Sequence, residues 1–193
     1  MKKTLILIGA ILLGIIPYAF GESFLINGPP QVDIDTSTPT YVILNSAQSG
    51  IIQDINVFIQ TNAEFGDDLD IILSHGSTSV FIYNGIGDTS SSYINALFDD
   101  EASGSYPVDG TADGTFRPYQ PLSGFDGLEL SGPWTLSFVD YVIPGDGTAL
   151  LSWYIEGTVA PIPEPTTMLL LGSGLIGLAG YGRKKFLKKF FKK

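Results

Sequence analysis

Apolar and polar residues alternate over several short runs in the middle of the chain, and no stretch there shows helical periodicity. A period of two places alternate residues of a strand on opposite faces of a sheet. Further apolar runs begin at Tyr41, Leu69 and Thr78. The residues that the alternation places on a core face are Ile55, Val57 and Ile59; Trp134, Leu136 and Phe138; and Leu151, Trp153 and Ile155.

The runs are separated by segments rich in glycine, aspartate, serine and proline, which is the pattern of strands joined by turns. This organisation predicts one all-β domain over residues 22–160, called the body below, built as an antiparallel β-sandwich or jelly roll. The chain has 193 residues and no cysteine, so disulfides and thiolate metal sites are excluded.

The first residues have the layout of a secretory signal peptide. Lys2 and Lys3 precede an apolar stretch of about twelve residues, which is shorter than the roughly 20 that a membrane span needs. Small residues follow at Ala19 and Gly21. We therefore expect residues 1–21 to be a signal peptide that signal peptidase cleaves after Gly21.

The last residues form an uncharged apolar run, 166–182, followed by a basic tail, 183–193. As a helix the run reaches roughly 25 Å, against about 30 Å of bilayer hydrocarbon, and the flanking lysine stems extend that reach. We predict a transmembrane helix with its basic end in the cytoplasm and the body outside. The run also contains a G-x-G-x-x-G match at 172–177, but neither a strand before it nor an acidic residue after it supports nucleotide binding.

The order of Pro163-Glu164-Pro165, an apolar run and a basic cluster led by Arg183 resembles the PEP-CTERM sorting signal of bacterial surface proteins. That resemblance implies an exosortase as partner, cleavage near the Pro-Glu-Pro, and release or transfer of the body outward. The protein would be anchored in the inner membrane before processing and would lie at the cell surface or in the extracellular matrix afterwards.

Charge is strongly segregated along the chain. Arg117 is the one basic residue between positions 4 and 182, against all twenty carboxylates, so this part has a net charge of −19. Such a surface repels nucleic acid, which excludes that class of partner. We expect Arg117 to form a structural ion pair.

The segments "FDDEA", "FRPYQPLSGFDG", "GPWTLSFVD" and "GTALLSWYIEGT" resemble the P domain (P/Homo B domain) of proprotein convertases and bacterial subtilases, over residues 51–159. The resemblance implies a jelly-roll β-sandwich that accompanies a catalytic domain and is not itself the catalyst. The turn "SHGST" is one residue shorter than the family's usual turn, so its shape is expected to differ.

The sequence predicts no enzyme. A Ser-His-Asp site would need the single histidine, His75, as its base, and no G-x-S-x-G elbow occurs. We expect His75 to be a solvent-exposed turn residue. Two carboxylates at a suitable distance could serve a glycosidase, but abundant acids produce such pairs by chance.

Clustered carboxylates favour calcium, which takes six to eight oxygen ligands. The three consecutive acids at 99–101 repel one another and have no lysine beside them, so a bound cation or a solvated acidic loop would explain them equally well. The predicted calcium ligands are Asp67, Asp68, Asp99, Asp100, Glu101 and Asp140.

These features predict an exported, non-catalytic module with a structural or adhesive role. An alternative is binding of extracellular polysaccharide through a group of exposed aromatic residues, Tyr83, Tyr93, Tyr106 and Tyr119. A further alternative, which rests on the P-domain resemblance, is an accessory module of a separate subtilisin-like protease.

Overall fold

The computed structural model describes residues 21–34, 38–62, 69–85, 93–107, 111–141, 148–160 and 169–179. The predicted signal peptide up to residue 20, the basic tail, and the predicted residues Asp67, Asp68, Pro163, Glu164, Pro165 and Arg183 lie outside this part.

The described body consists of ten strands and one short 3₁₀ helix, so the all-β prediction is confirmed. The strands are β1 Glu22–Asn27, β2 Val32–Asp33, β3 Thr40–Ser46, β4 Ile52–Thr61, β5 Leu69–His75, β6 Thr78–Tyr83, β7 Ile94–Phe98, β8 Ala112–Phe116, β9 Gly132–Asp140 and β10 Ala149–Val159, and the 3₁₀ helix is Leu122–Phe125.

The strands form two sheets that share one hydrophobic core. The large sheet has the order β1-β10-β4-β7-β8, with β2 also pairing β10, and the small sheet has the order β3-β9-β5-β6. Buried residues of both sheets belong to a single cluster. The predicted core residues on β4 and β9 are all buried, because they occupy alternate positions of each strand and so share its core face.

The predicted core face of β10 is wrong at its start. The pairing of β10 with β4 is irregular between Leu150 and Ser152, and this irregularity changes the phase of the alternation. Leu150 is therefore fully buried in place of Leu151, whereas Trp153 and Ile155 are buried as predicted.

One strand pair departs from the antiparallel prediction. β7 and β8 pair in parallel, with Ile94 opposite Ala112 and Phe98 opposite Phe116. Parallel neighbours need a crossover of a dozen or more residues, and the segment 99–111 supplies it. This crossover carries the acids Asp99, Asp100 and Glu101, so the parallel pairing determines where they lie.

Residues 169–179 form an α-helix whose leucine and isoleucine side chains are exposed. It occupies the middle of the predicted run 166–182. None of the helices in the described ranges is both long and apolar enough to cross a membrane.

The close approach of β10 and β4 depends on Gly157. A Cβ built on Gly157 would lie 2.1 Å from the carbonyl oxygen of Asp54. We expect Gly157→Val to lower the free energy of unfolding by about 3 kcal/mol or more, since the clash is with backbone and no side chain can move aside.

Urea unfolding of the body measures this effect. Gly124→Ala is the matched control, because its Cβ would meet only side-chain methyl groups, that of Val80 at 3.4 Å and that of Thr78 at 3.9 Å. Equal stability of the Gly157→Val variant and the wild type would contradict the packing described here.

Candidate functional site

An acidic pocket opens on the outer side of the large sheet, where the crossover after β7 meets the first half of β4 and the 3₁₀ helix. The cavity has a volume of about 340 Å³. Its lining includes five carboxylates and three neutral polar side chains, namely Asp54, Asp99, Asp100, Glu101, Asp126, Gln53, Asn56 and Ser123.

Arg117 helps to fix the crossover that carries three of these acids. Its Nε donates a hydrogen bond to the carbonyl of Ala102 at 2.9 Å, and its backbone N–H donates to Gly104 at 3.1 Å. Within the described ranges this side chain contacts a carbonyl and no carboxylate. The predicted ion pair is not found among these residues, and for the rest of the chain it stays a prediction.

Two of the three consecutive acids accept hydrogen bonds from backbone N–H groups. The carboxylate of Asp100 accepts hydrogen bonds from the backbone of Leu122 and Ser123, both at 2.8 Å, at the start of the 3₁₀ helix. Asp99 Oδ1 accepts from the N–H of Glu101 at 2.7 Å. These bonds hold the loop and the helix together, and they leave Glu101 exposed beside the pocket.

The carboxylates of the pocket lie close together, and its described lining contains no cationic side chain. Burial raises the pKa of Asp54 above its ordinary 3.8, and the charges of Asp99 and Asp100 raise it further. Burial and then the charge of Asp54 raise the pKa of Asp126. A hydrogen bond with Asp99 is the main cause that raises the pKa of Glu101. The pocket therefore favours a positively charged occupant.

Asn56 adds an unsatisfied acceptor to the same pocket. Its Oδ1 is removed from solvent and has no hydrogen-bond partner within the described residues. A buried oxygen without a donor costs about 1–3 kcal/mol, so a ligand that donates a hydrogen bond or coordinates there would recover that energy. Asp54, Asn56 and Asp126 were not predicted as site residues. The alternation of β4 shows that Asp54 and Asn56 face away from the core, but it does not show which loop packs beside them.

The predicted calcium ligands do not come together at one place. Asp99, Asp100 and Glu101 follow β7 near the start of β4, whereas Asp140 ends β9 opposite Leu69, at the other end of the sheets. Over the described ranges, no three Asp, Glu or His side chains are arranged to hold a metal ion.

His75 is buried, so the prediction of an exposed turn residue is wrong. It is 7% exposed, its ring stacks on Trp134 at 4.0 Å, and both ring nitrogens lie within hydrogen-bonding distance of backbone carbonyls, those of Pro133 at 2.9 Å and Glu129 at 2.7 Å. β5 ends at His75, directly opposite Trp134 on β9, and the pairing of these strands produces the stack. A ring held in this way has no nitrogen left for a substrate.

The four tyrosines proposed for sugar binding are not exposed together. Tyr83 is 1% exposed and packs in the core, and Tyr106 packs against it and bonds to the backbone of Asn84. Tyr119 is exposed beside Tyr106, whereas Tyr93 lies elsewhere and donates a hydrogen bond to Asp113.

Comparison with known families identifies the segment that follows the body. The profile of the PEP-CTERM protein-sorting motif matches residues 161–184. Residues 161–184 are a PEP-CTERM sorting motif. The resemblance seen in the Pro-Glu-Pro segment is thereby confirmed, and the motif implies export and processing by an exosortase. No curated protein matches the chain.

Some solved structures are distantly similar in shape. One is a chain of the complex between the serine protease of Aeromonas sobria and the chaperone ORF2, with 14% identity and a TM-score of 0.45 over 73% of this chain and 27% of that one. Another is FLHE, with 15% identity and a TM-score of 0.40 over 72% of this chain and 96% of that one. At such TM-scores these similarities carry no argument. The two-sheet body is nevertheless consistent with the P-domain-like β fold that the sequence resembles.

The pocket makes the stability of the body depend on pH. Because the folded-state pKa of Asp54 is raised, its favourable contribution is complete below its ordinary 3.8 and is lost as the pH rises through the raised pKa. We expect Asp54→Asn to melt at a higher temperature than the wild type at pH 7, and the difference to shrink as the pH falls toward 4.

Thermal melts at pH 7 and pH 4 test this expectation. Asp100→Asn is the matched control, since it weakens two hydrogen bonds to backbone and should cost about 1–3 kcal/mol at pH 7. A lower melting temperature for Asp54→Asn at pH 7 would show that its charge is not a source of strain.

Proposed function

We propose that the protein is an exported surface module that its PEP-CTERM motif holds at the inner membrane, through the apolar run 166–182, until an exosortase processes it. The body would then remain at the cell surface or in the extracellular matrix, in a structural or adhesive role. The match to the motif at 161–184 carries this proposal, together with the position of the motif immediately after Ala160, whose N–H bonds to the carbonyl of Ile51.

The surroundings of His75 support a role without catalysis. General base catalysis requires a ring nitrogen within reach of the proton that it removes. Both nitrogens of His75 instead face backbone carbonyls, and the ring is packed on Trp134.

Mass spectrometry of the mature protein from its native host tests the proposal. We expect a chain that starts at Glu22 and ends between Ala160 and Pro165, recovered from the surface fraction. In a variant with Glu164→Ala we expect the uncut chain to accumulate in the inner membrane, whereas Glu156→Ala, a change in the body, should be processed normally. An intact tail on the wild-type surface protein would contradict processing.

We further propose that the acidic pocket binds calcium weakly. The raised carboxyl pKa values and the unsatisfied Asn56 oxygen support a cation there, and the absence of a ready arrangement of ligands in the described residues is a reason for low affinity. Asp140, at the other end of the sheets, would not contribute, and Asp67 and Asp68 lie outside the described residues.

Thermal melts with chelator and with millimolar calcium test the metal. A ligand that favours the native state stabilises it by about 1.4 kcal/mol at tenfold excess over its Kd. We expect this gain in the wild type and in Asp140→Asn, and its loss in Asp99→Asn. A melting temperature unchanged by calcium would exclude the site.

A further inference from the structure

The first and last strands of the body lie side by side. β1 and β10 pair in antiparallel fashion along their whole common length, with Glu22 opposite Val159 and Asn27 opposite Tyr154. On the other side of β10, Val159 lies opposite Ile52 at the start of β4. The body therefore begins and ends at one end of the large sheet, which we call the exit end and define by Glu22, Ile52 and Val159.

Hydrogen bonds and close packing extend to both ends of the body, next to the two predicted processing segments. The N–H of Ala160 donates to the carbonyl of Ile51 at 2.7 Å, and the sorting motif begins at the next residue. At the other terminus Gly21 is closely packed, since a Cβ there would lie 2.8 Å from Gln53 Oε1 and 3.0 Å from the carbonyl of Val159. A signal-peptide cut after Glu22, or a C-terminal cut before Ala160, would remove residues that bond to the sheet.

The length of the segment 161–165, compared with the length of the sheet, shows whether the body could fold with both of its ends held at one membrane. The five residues 161–165 span at most about 18 Å when fully extended. The ten residues of β4 span about 33 Å. If the body began and ended at opposite ends of the sheet, so short a connection could not hold both ends at the same membrane. Because the first and last residues of the body both lie at the exit end, a chain anchored by its signal peptide and by its sorting motif can fold without having to span the sheet.

We propose that the body folds while the signal peptide and the sorting motif are both still attached, and that the processing enzymes act on a folded body. The fold then sets the limits of the mature chain, with the first cut no later than the bond after Gly21 and the second no earlier than the bond after Ala160. This inference rests on the proposed function, since it needs both ends to be held at one membrane.

The experiment uses the full chain with Ala19→Leu, a bulky residue in the small-residue segment before the cleavage point, expressed in a host without an exosortase so that both ends are retained. Spheroplasts are treated with a protease of broad specificity, and the fragments are identified by mass spectrometry. We expect cuts in the short segments outside 22–160 and an intact fragment of the body, as from the processed protein. Cuts inside the body of the doubly attached chain, with none in the processed protein, would overturn the inference.

Two matched variants and one further outcome complete the test. Gly157→Val should remove the protection in both forms of the protein, and Gly124→Ala should retain it in both. Complete absence of cuts in intact spheroplasts, with cuts after lysis, would mean that the body is not exported. That outcome contradicts the proposed function itself, and it is distinguishable from cuts inside an exported body.

Discussion

The position of β10 between β1 and β4 is the constraint on which the rest of the structure depends. This strand is the last of the body, pairs with three other strands, and places Trp153 and Ile155 in the core. It can approach β4 closely because Gly157 has no side chain. The strand that joins β1 to β4 is therefore also the strand that leads into the PEP-CTERM motif. The same backbone hydrogen bonds hold the large sheet together and fix the point at which the motif begins.

The second organising feature is a surplus of negative charge. With one arginine against twenty carboxylates between positions 4 and 182, few of the acids can pair with a cationic side chain. The fold uses some of them as acceptors for backbone N–H groups, as at Asp100, and for polar side chains, as at Asp70, which accepts from Tyr141 and Asn84. At the acidic pocket burial and mutual repulsion outweigh such bonds, and they raise the pKa values of Asp54 and Asp126.

The alternation of apolar and polar residues predicted many of the core residues correctly, but it did not predict the local irregularities of the strands. The core faces of β4 and β9 were predicted correctly over residues 55–59 and 134–138, because every second residue there is apolar and buried. The irregularity at Leu150–Ser152 and the parallel pairing of β7 with β8 have no signature in hydrophobic pattern, since both depend on which strand becomes the neighbour. The environment of His75 was missed for the same reason, because its ring partner, Trp134, is distant in sequence.

The sequence by itself determined the β character of the body, its charge, and the sorting motif with its Pro-Glu-Pro, apolar and basic parts, because each is a property of consecutive residues. Tertiary structure alone decided that Asp54, Asp126 and the acids at 99–101 share one pocket while Asp140 lies at the other end. It also decided that the body starts and finishes at one end of the sheet. Both facts depend on strand order and register, which arise from contacts between residues far apart in the chain and so leave no local pattern.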